Sequence, residues 1–266
     1  MADKIIIAVD AMGGDNAPEE IVKGAVQSIG ALDIHMVLLG KQSLIETELN
    51  KYTYPKEKIT ITDCSETIGA DDTPTVAIKQ KKDSSMVVGF NLLKNGGAIA
   101  LVSAGSTGAL LAGATLIVGR IPGVERPSLA TMLPNQNGFS LMLDSGANVD
   151  CKPSYLAQFA RMGSVYMENV TGKTSPKVGL INVGSEKEKG SQLVKEAYAL
   201  LEGSELNFIG NVEARDIPSG VCDVIVCDGF VGNVILKYTE GFAKSMFSMI
   251  KTELMKDTLS KIGAAL

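Results

Sequence analysis

The stretch AVDAMGGDNAPEEI, Ala8–Ile21, closes one kind of structure and opens another. Upstream lies the apolar, β-branched run Lys4–Asp10, which reads as a strand. Downstream, Pro18 holds the favoured first position of a helix, with Glu19 and Glu20 in its first turn. The same strand–turn–helix unit recurs along the chain. Strands are expected at Lys4–Asp10, Ile34–Leu39, Lys58–Asp63, Ala98–Val102, Ser128–Leu133, Ser140–Asp144, Val178–Val183, Leu206–Val212 and Asp223–Asp228. Helices are expected at Pro18–Ala31, Ser43–Lys51, Pro74–Lys94, Thr107–Val118, Pro153–Asn169, Gly190–Leu201 and over a long C-terminal segment. This alternation implies an α/β fold, a mostly parallel sheet with helices on both faces. Pro134–Gly138 reads as a hairpin turn, which makes the sheet mixed.

The 266 residues suffice for one large domain or two small ones. There is no internal repeat, low-complexity tract or linker, so 1–266 is read as a single domain. A net charge of −5 argues against a nucleic-acid partner, which would require a basic surface. No apolar run reaches the roughly 18 residues that cross a bilayer, and Met1–Lys4 begins no leader, so a cytoplasmic location is expected. Cys64, Cys151, Cys222 and Cys227 form no CxxC pair, which favours reduced thiols over a zinc site. The single histidine, His35, falls inside an expected strand and is read as a packed core residue.

In folds of this class ligands gather at the carboxyl ends of the strands. Here those ends read DAMGGD, SAGSTGAL, LDSGANVD, INVGSEKEKG, IGNVEARD and CDGFVGNVILK, six polar, glycine-bearing turns expected on one edge. None matches a dinucleotide fingerprint or a P-loop. The first is a poor anion cradle, because Glu19 and Glu20 already complement the helix dipole. SAGSTGAL differs: its helix has no acid in the first turn, leaving backbone N–H groups and the hydroxyls of Ser103, Ser106 and Thr107 for a phosphate, with Gly105 and Gly108 permitting close approach. The alternative is an N-cap with tight helix–sheet packing. CDGFVGNVILK gives a second acid-free helix start, with Asn233 and Lys237 four apart on one face. Asp10, Asp15 and Asp228 are read as orienting lysines or satisfying loop amides in preference to holding a divalent ion.

Taken together, DAMGGDNAP, KKDSSM, SAGSTGALLAGA, RPSLATMLP, LDSGANVDCKP, FIGNVEARD and DGFVGNVILKYTEG closely resemble, in order and over essentially the whole chain, the PlsX family of phosphate acyltransferases of bacterial phospholipid synthesis. The resemblance implies a three-layer α/β/α sandwich like that of phosphotransacetylases, and a homodimer. It implies transfer of a long-chain fatty acyl group from acyl carrier protein to inorganic phosphate. The acyl phosphate would pass to a membrane-bound glycerol-3-phosphate acyltransferase. Two departures stand out. Ser106 replaces an asparagine usual in the family, and members continue for some tens of residues beyond the position of Leu266.

Such chemistry needs no strong base and no cofactor. Phosphate is already anionic near neutrality, with a second pKa of about 6 in related monoesters. The leaving thiol has a solution pKa near ~8.5. The demanding tasks are positioning two anionic reactants and stabilising the oxyanion on the thioester carbonyl. Asp10, Asp15, Asn148, Asp228, Asn233 and Lys237 are the candidates for these catalytic tasks, with Lys81 of KKDSSM beside Ser103–Gly108 for phosphate. No Cys–His or Ser–His pair is apparent, so one-step transfer is expected. The alternatives are a phosphotransacetylase-like enzyme using acyl-coenzyme A and a non-catalytic acyl-carrier or lipid-binding protein.

At 100° per residue, Phe242, Ala243, Met246, Phe247, Met249, Ile250 and Leu254 share one helical face, while Met255, Leu259, Ile262 and Leu266 share nearly the opposite one. One straight helix cannot bury both stripes on one core. A break is expected near Lys256–Asp257, with Asp257 capping a second helix and 240–266 projecting. The stripes suit either protein packing or a peripheral membrane contact through Phe247, Ile250 and Leu254.

Overall fold

The computed structural model describes residues 5–265; Met1–Lys4 and Leu266 lie outside the described residues. Where the sequence reading takes the chain as one domain, it divides into two compact units, Met1–Gly123 and Val124–Leu266, each with its own sheet.

The first unit holds β1 (Ile6–Asp10), α1 (Glu19–Ala31), β2 (His35–Gly40), α2 (Gln42–Leu49), β3 (Ile59–Asp63), α3 (Pro74–Gln80), α4 (Ser85–Lys94), β4 (Ala100–Val102) and α5 (Thr107–Gly113), which runs on as a wider π-helical turn, Ala114–Val118. The sheet order is β3-β2-β1-β4, parallel throughout. Alternation along β1 sends Val9 toward α1 and α2, where Val22, Ala25, Ile29, Ile45 and Leu49 are buried. Ala8 goes to the other face, with Leu39, Cys64 and Ala98 and the partly buried Val88 and Leu92 of α4. Helices therefore cover both faces. His35 is buried on β2 with Nε2 3.2 Å from Thr60 Oγ1, as expected of a packed residue.

The single helix expected over Pro74–Lys94 is two. Lys81 breaks from helical geometry, and Ser84 starts α4 by accepting a hydrogen bond from Val87 N. Asp83 between them accepts from both N and Oγ of Ser65. An apolar period spanning the break hides it, whereas the hydroxyl cap marks it.

The second unit holds β5 (Ala130–Asn135), β6 (Gly138–Leu143), α6 (Pro153–Thr171), β7 (Val178–Ile181), α7 (Gln192–Glu202), β8 (Phe208–Val212), β9 (Val224–Val226), α8 (Gly229–Leu254) and α9 (Thr258–Ala265). The order is β5-β6-β9-β7-β8, with β5 and β6 the antiparallel hairpin expected around Pro134–Gly138 and the rest parallel. α6 begins at Pro153 and stops at the left-handed Gly172, φ 70°. Its Leu156, Phe159, Ala160 and Met167 pack with α7 on one face of the sheet, and Val231, Ile235 and Leu236 of α8 pack toward the other. Both units are α/β/α layers of the expected kind.

α8 leaves that layer. From Lys237 to Leu254 every residue except Ala243 is exposed, including Phe242, Met246, Phe247, Met249, Ile250 and Leu254. The helix ends at Leu254, and Asp257 accepts from Ser260 N at 2.8 Å, the expected break and cap. Of the second stripe, Met255 is exposed; the Leu259 and Ile262 side chains and Leu266 lie outside the described residues.

Candidate functional site

In the first unit, two strand ends meet. Asp10 ends β1 and is 2% exposed. Its Oδ1 accepts from Met12 N at 3.2 Å and its Oδ2 from Ser103 Oγ at 2.7 Å. Ser103 Oγ in turn accepts from Gly105 N at 3.1 Å. Two glycines allow this. A Cβ on Gly13 would stand 2.5 Å from Asp10 Oδ2 and 2.9 Å from Gly105 N, and one on Gly105 would stand 3.3 Å from Gly13 Cα. DAMGGD is thus a clamp on SAGSTG, and its aspartate holds a loop and not a lysine.

That clamp changes what each hydroxyl can do. The Ser103 hydroxyl hydrogen is committed to Asp10, so Ser103 shapes the loop. Ser106 caps α5, its Oγ accepting from Ala109 N at 3.4 Å, which leaves its O–H hydrogen to donate outward. Thr107 and Gly108 are exposed at the first helical positions, where N–H groups have no carbonyl one turn back to bond. No acid stands in that turn. Lys81 donates to Asp72 Oδ2 at 2.6 Å and to the Thr67 carbonyl at 2.9 Å. The Lys81 ammonium, followed by the Gly69 N–H, holds the Asp72 carboxyl below the usual carboxylate range. Asp15 is exposed on the loop before α1.

In the second unit, one carboxylate organises the loop after β6. Asp144 is fully buried. Its Oδ1 accepts from the N–H groups of Leu129, Gly146 and Ala147, and its Oδ2 from both N and Nδ2 of Asn148, all within 2.7–3.2 Å. Asn148 also gives Nδ2 to the Pro127 carbonyl at 2.8 Å, so its amide N–H groups are spent on the loop. α8 starts directly against this loop. Asp228 caps it, accepting from Val231 N at 2.9 Å, and Gly229 N donates to the Asn148 carbonyl at 2.7 Å. A Cβ on Gly229 would lie 2.7 Å from that carbonyl, and one on Gly232 would overlap the Asp144 carbonyl oxygen. This is why DGFVGN carries two glycines three apart on one helical face. Asn233 follows, exposed, with its side chain 3.7 Å from a Cβ position on Gly146. Lys237, one turn further, is exposed and pairs with Glu240 at 3.2 Å.

Cys151 lies in this loop, its Sγ donating to the Asn148 carbonyl at 3.3 Å. Burial pushes its thiol up to about 11; the carboxylates of Asp228, Asp144 and Asp150 add to this and the Gly229 N–H opposes it. Burial likewise raises Cys64 to about 11, Cys222 to about 12, and Cys227 further. All four are free, and a thiol of this kind is a poor nucleophile at neutral pH. Among the described residues no cluster of His, Cys, Asp or Glu is arranged to hold a metal ion.

Two further residues organise these loops, Asp144 and Asp72. Asp144 was legible in principle: a strand-end aspartate followed by Ser-Gly-Ala-Asn presents successive amides to its own carboxylate. Asp72 was not, because its partner Lys81 is nine residues away, across α3.

The chain matches the family model described as fatty acid synthesis protein over residues 5–266. It is 55% identical over 260 residues to a phosphate acyltransferase of Alkaliphilus oremlandii, covering 98% of this chain and 78% of that one. It is 52% identical to the phosphate acyltransferase of Clostridium kluyveri, covering 97% and 78%. Among solved structures it is similar to a phosphotransacetylase from Streptococcus pyogenes, with a TM-score of 0.66, 19% identity and 92% and 83% coverage. A second is the EutD phosphotransacetylase from Staphylococcus aureus, with a TM-score of 0.64, 20% identity and 91% and 83% coverage. At that identity the structural likeness speaks to the fold.

Proposed function

The chain belongs to the fatty acid synthesis protein family, whose phosphate acyltransferases its motifs resemble, and is an acyltransferase; we propose that it moves a long-chain acyl group from acyl carrier protein to inorganic phosphate. The observation that carries this reading is the loop after β4. Its helix start is acid-free, Thr107 and Gly108 are exposed at its first positions, the capping Ser106 keeps its hydroxyl hydrogen to donate, and a buried aspartate fixes its shape through Ser103. Phosphate sits at Ser106, Thr107 and Gly108, while Ser103 and Gly105 hold the loop in register. Lys81 acts at one remove, tying Asp72 and Thr67 to the end of α3, whose Pro74 ring touches the Gly108 position.

A phosphate oxygen attacks the thioester carbonyl carbon. The C–O bond forms, the C–S bond breaks through a tetrahedral oxyanion, and the carrier thiolate leaves and takes a proton from water. Preorganised N–H groups lower this barrier more than a base would, since nucleophile and leaving group both need little proton transfer. No covalent acyl-enzyme is formed, in keeping with four thiols held protonated. The acyl phosphate is then a substrate for a membrane glycerol-3-phosphate acyltransferase.

Long-chain acyl carrier protein incubated with the enzyme should release thiol only when phosphate is present, with acyl phosphate as product and no acyl label left on the protein. Release independent of phosphate, or a stable acylated protein, would overturn the reading. Preference for acyl-coenzyme A in a parallel assay would select the phosphotransacetylase-like alternative. No release from either carrier would select a non-catalytic acyl-binding protein.

A second reading concerns where the product goes. Among the described residues no helix is long and apolar enough to cross a membrane. Yet the outer half of α8 bears Phe247, Ile250 and Leu254 in the open, with Lys251 and Lys256 nearby. Such a helix suits a peripheral, salt-sensitive contact with an anionic bilayer, each lysine contributing about 1 kcal/mol. Leu254→Glu should release the protein from anionic vesicles in co-sedimentation and leave turnover of soluble carrier intact. If the parent never sediments and is dimeric in solution, the stripe belongs to a homodimer interface.

A further inference from the structure

Beside the candidate phosphate loop, the first unit contains a cleft of about 270 Å³. Its floor is formed by Ile7 and Val9 of β1, Met36 of β2 and Val102 of β4, and its roof by Ile21 and Gly24 of α1. The two polar residues at its rim are engaged elsewhere: Ser28 Oγ donates to the Gly24 carbonyl at 2.8 Å, and Glu20 pairs with Lys23 at 3.1 Å. The walls are therefore apolar. The cleft opens along the edge strand, where Val102 is 55% exposed.

Its position is what matters. Val9 and Val102 are register partners, and the next residue on each strand is Asp10 and Ser103, the pair that clamps the phosphate loop. One end of the cleft thus lies one residue from the loop proposed to hold the nucleophile. From Glu20 to Ser28 the roof spans eight helical steps, about 12 Å. Its volume is slightly below that of ordinary small-ligand sites, and a narrow, unbranched, apolar group fits such a space.

Gly24 supplies an independent sign. A glycine in a helix interior costs about 1 kcal/mol relative to alanine. Close packing does not explain it here, because a Cβ at Gly24 would meet no atom within 4 Å. The position is left open toward the cleft.

We infer that this cleft seats the acyl chain of the thioester substrate, and that Gly24 sets how long a chain it accepts. This rests on the acyl-transfer reading above. Gly24→Leu fills the roof without disturbing the unit. Gly30→Leu is the control: it lies on the same helix, is exposed, and also has no atom within 4 Å of a Cβ. Phosphate-dependent thiol release is compared for hexanoyl and palmitoyl carrier proteins, and binding of the fluorescent long-chain acid cis-parinarate is titrated alongside. Gly24→Leu is expected to lower kcat/KM for the palmitoyl carrier at least about tenfold relative to the hexanoyl carrier, and to weaken parinarate binding, while Gly30→Leu behaves as the parent. A palmitoyl-to-hexanoyl ratio and parinarate affinity unchanged in Gly24→Leu would overturn the inference. A parent that releases no thiol from either carrier would instead refute the acyl-transfer reading; parinarate binding to parent and variant then decides the cleft by itself.

Discussion

Replacing Asp144 by alanine is expected to lower the melting temperature by roughly 10 °C, the yield of about 3–5 kcal/mol of lost stability in a chain of this size. The carboxylate is fully buried and is the shared acceptor for five donors: the N–H groups of Leu129, Gly146, Ala147 and Asn148, and Asn148 Nδ2. Alanine leaves all five without that acceptor. Each unsatisfied buried donor costs about 1–3 kcal/mol, less where water can enter, as beside the exposed Gly146. Asparagine should not rescue the fold, since its amide nitrogen would face either the Leu129, Gly146 and Ala147 donors or both donors of Asn148. The loss should spread to α8, whose Gly229 and Gly232 rest on this loop. Thermal unfolding followed by circular dichroism checks it. An alanine variant melting within about a degree of the parent would show that the loop is held by something other than this carboxylate.

Asp10→Ala is expected to cut phosphate-dependent acyl transfer about a hundredfold while leaving most of the first unit folded. The removed oxygens accept from Ser103 Oγ and Met12 N, and Ser103 Oγ accepts from Gly105 N. Without Asp10 the Ser103 hydroxyl is free to turn, and the Gly105–Gly108 backbone loses its anchor. A displacement of about 1 Å in a positioning group can cost two orders of magnitude in rate. The structural cost is smaller, about 1–3 kcal/mol, because two hydrogen bonds are lost beside the partly exposed Met12 and Ser103. Steady-state kinetics with phosphate varied, paired with a melting curve, separates the two effects. The expected result is a large fall in kcat/KM for phosphate with a modest change in melting temperature. If the two fall in proportion, Asp10 is a stability residue and nothing more.

The exposed face of α8 shows how a residue pattern can be read correctly and still leave its purpose open. Period and capping chemistry place the helix and its break, because both are local: Asp257 caps the next helix through an amide three residues away. What covers Phe247, Ile250 and Leu254 depends on surfaces beyond the helix itself. The helix broken at Lys81–Ser84 marks the opposite limit. There the apolar spacing favours continuity, and Asp83 and Lys81 override it by bonding Ser65, Thr67 and Asp72, which are distant in sequence.

From the sequence alone came the alternation of strands and helices, the hairpin that makes one sheet mixed, the acid-free starts of α5 and α8, and the ordered motifs that mark the family. These are legible because periodicity, caps and turn residues act over a few neighbours. Only the tertiary structure decided the division into two units, the order of the strands within each sheet, and what each polar side chain is bonded to. Asp10 and Ser103 are 93 residues apart, and Asp72 and Lys81 lie on either side of α3. A hydroxyl, a carboxylate or an ammonium can bond in many directions, so its residue type does not name its partner. Packing fixes the partner, and with it whether the group holds a loop, as Ser103 and Asp144 do, caps a helix, as Ser106 does, or stands exposed, as Thr107 does.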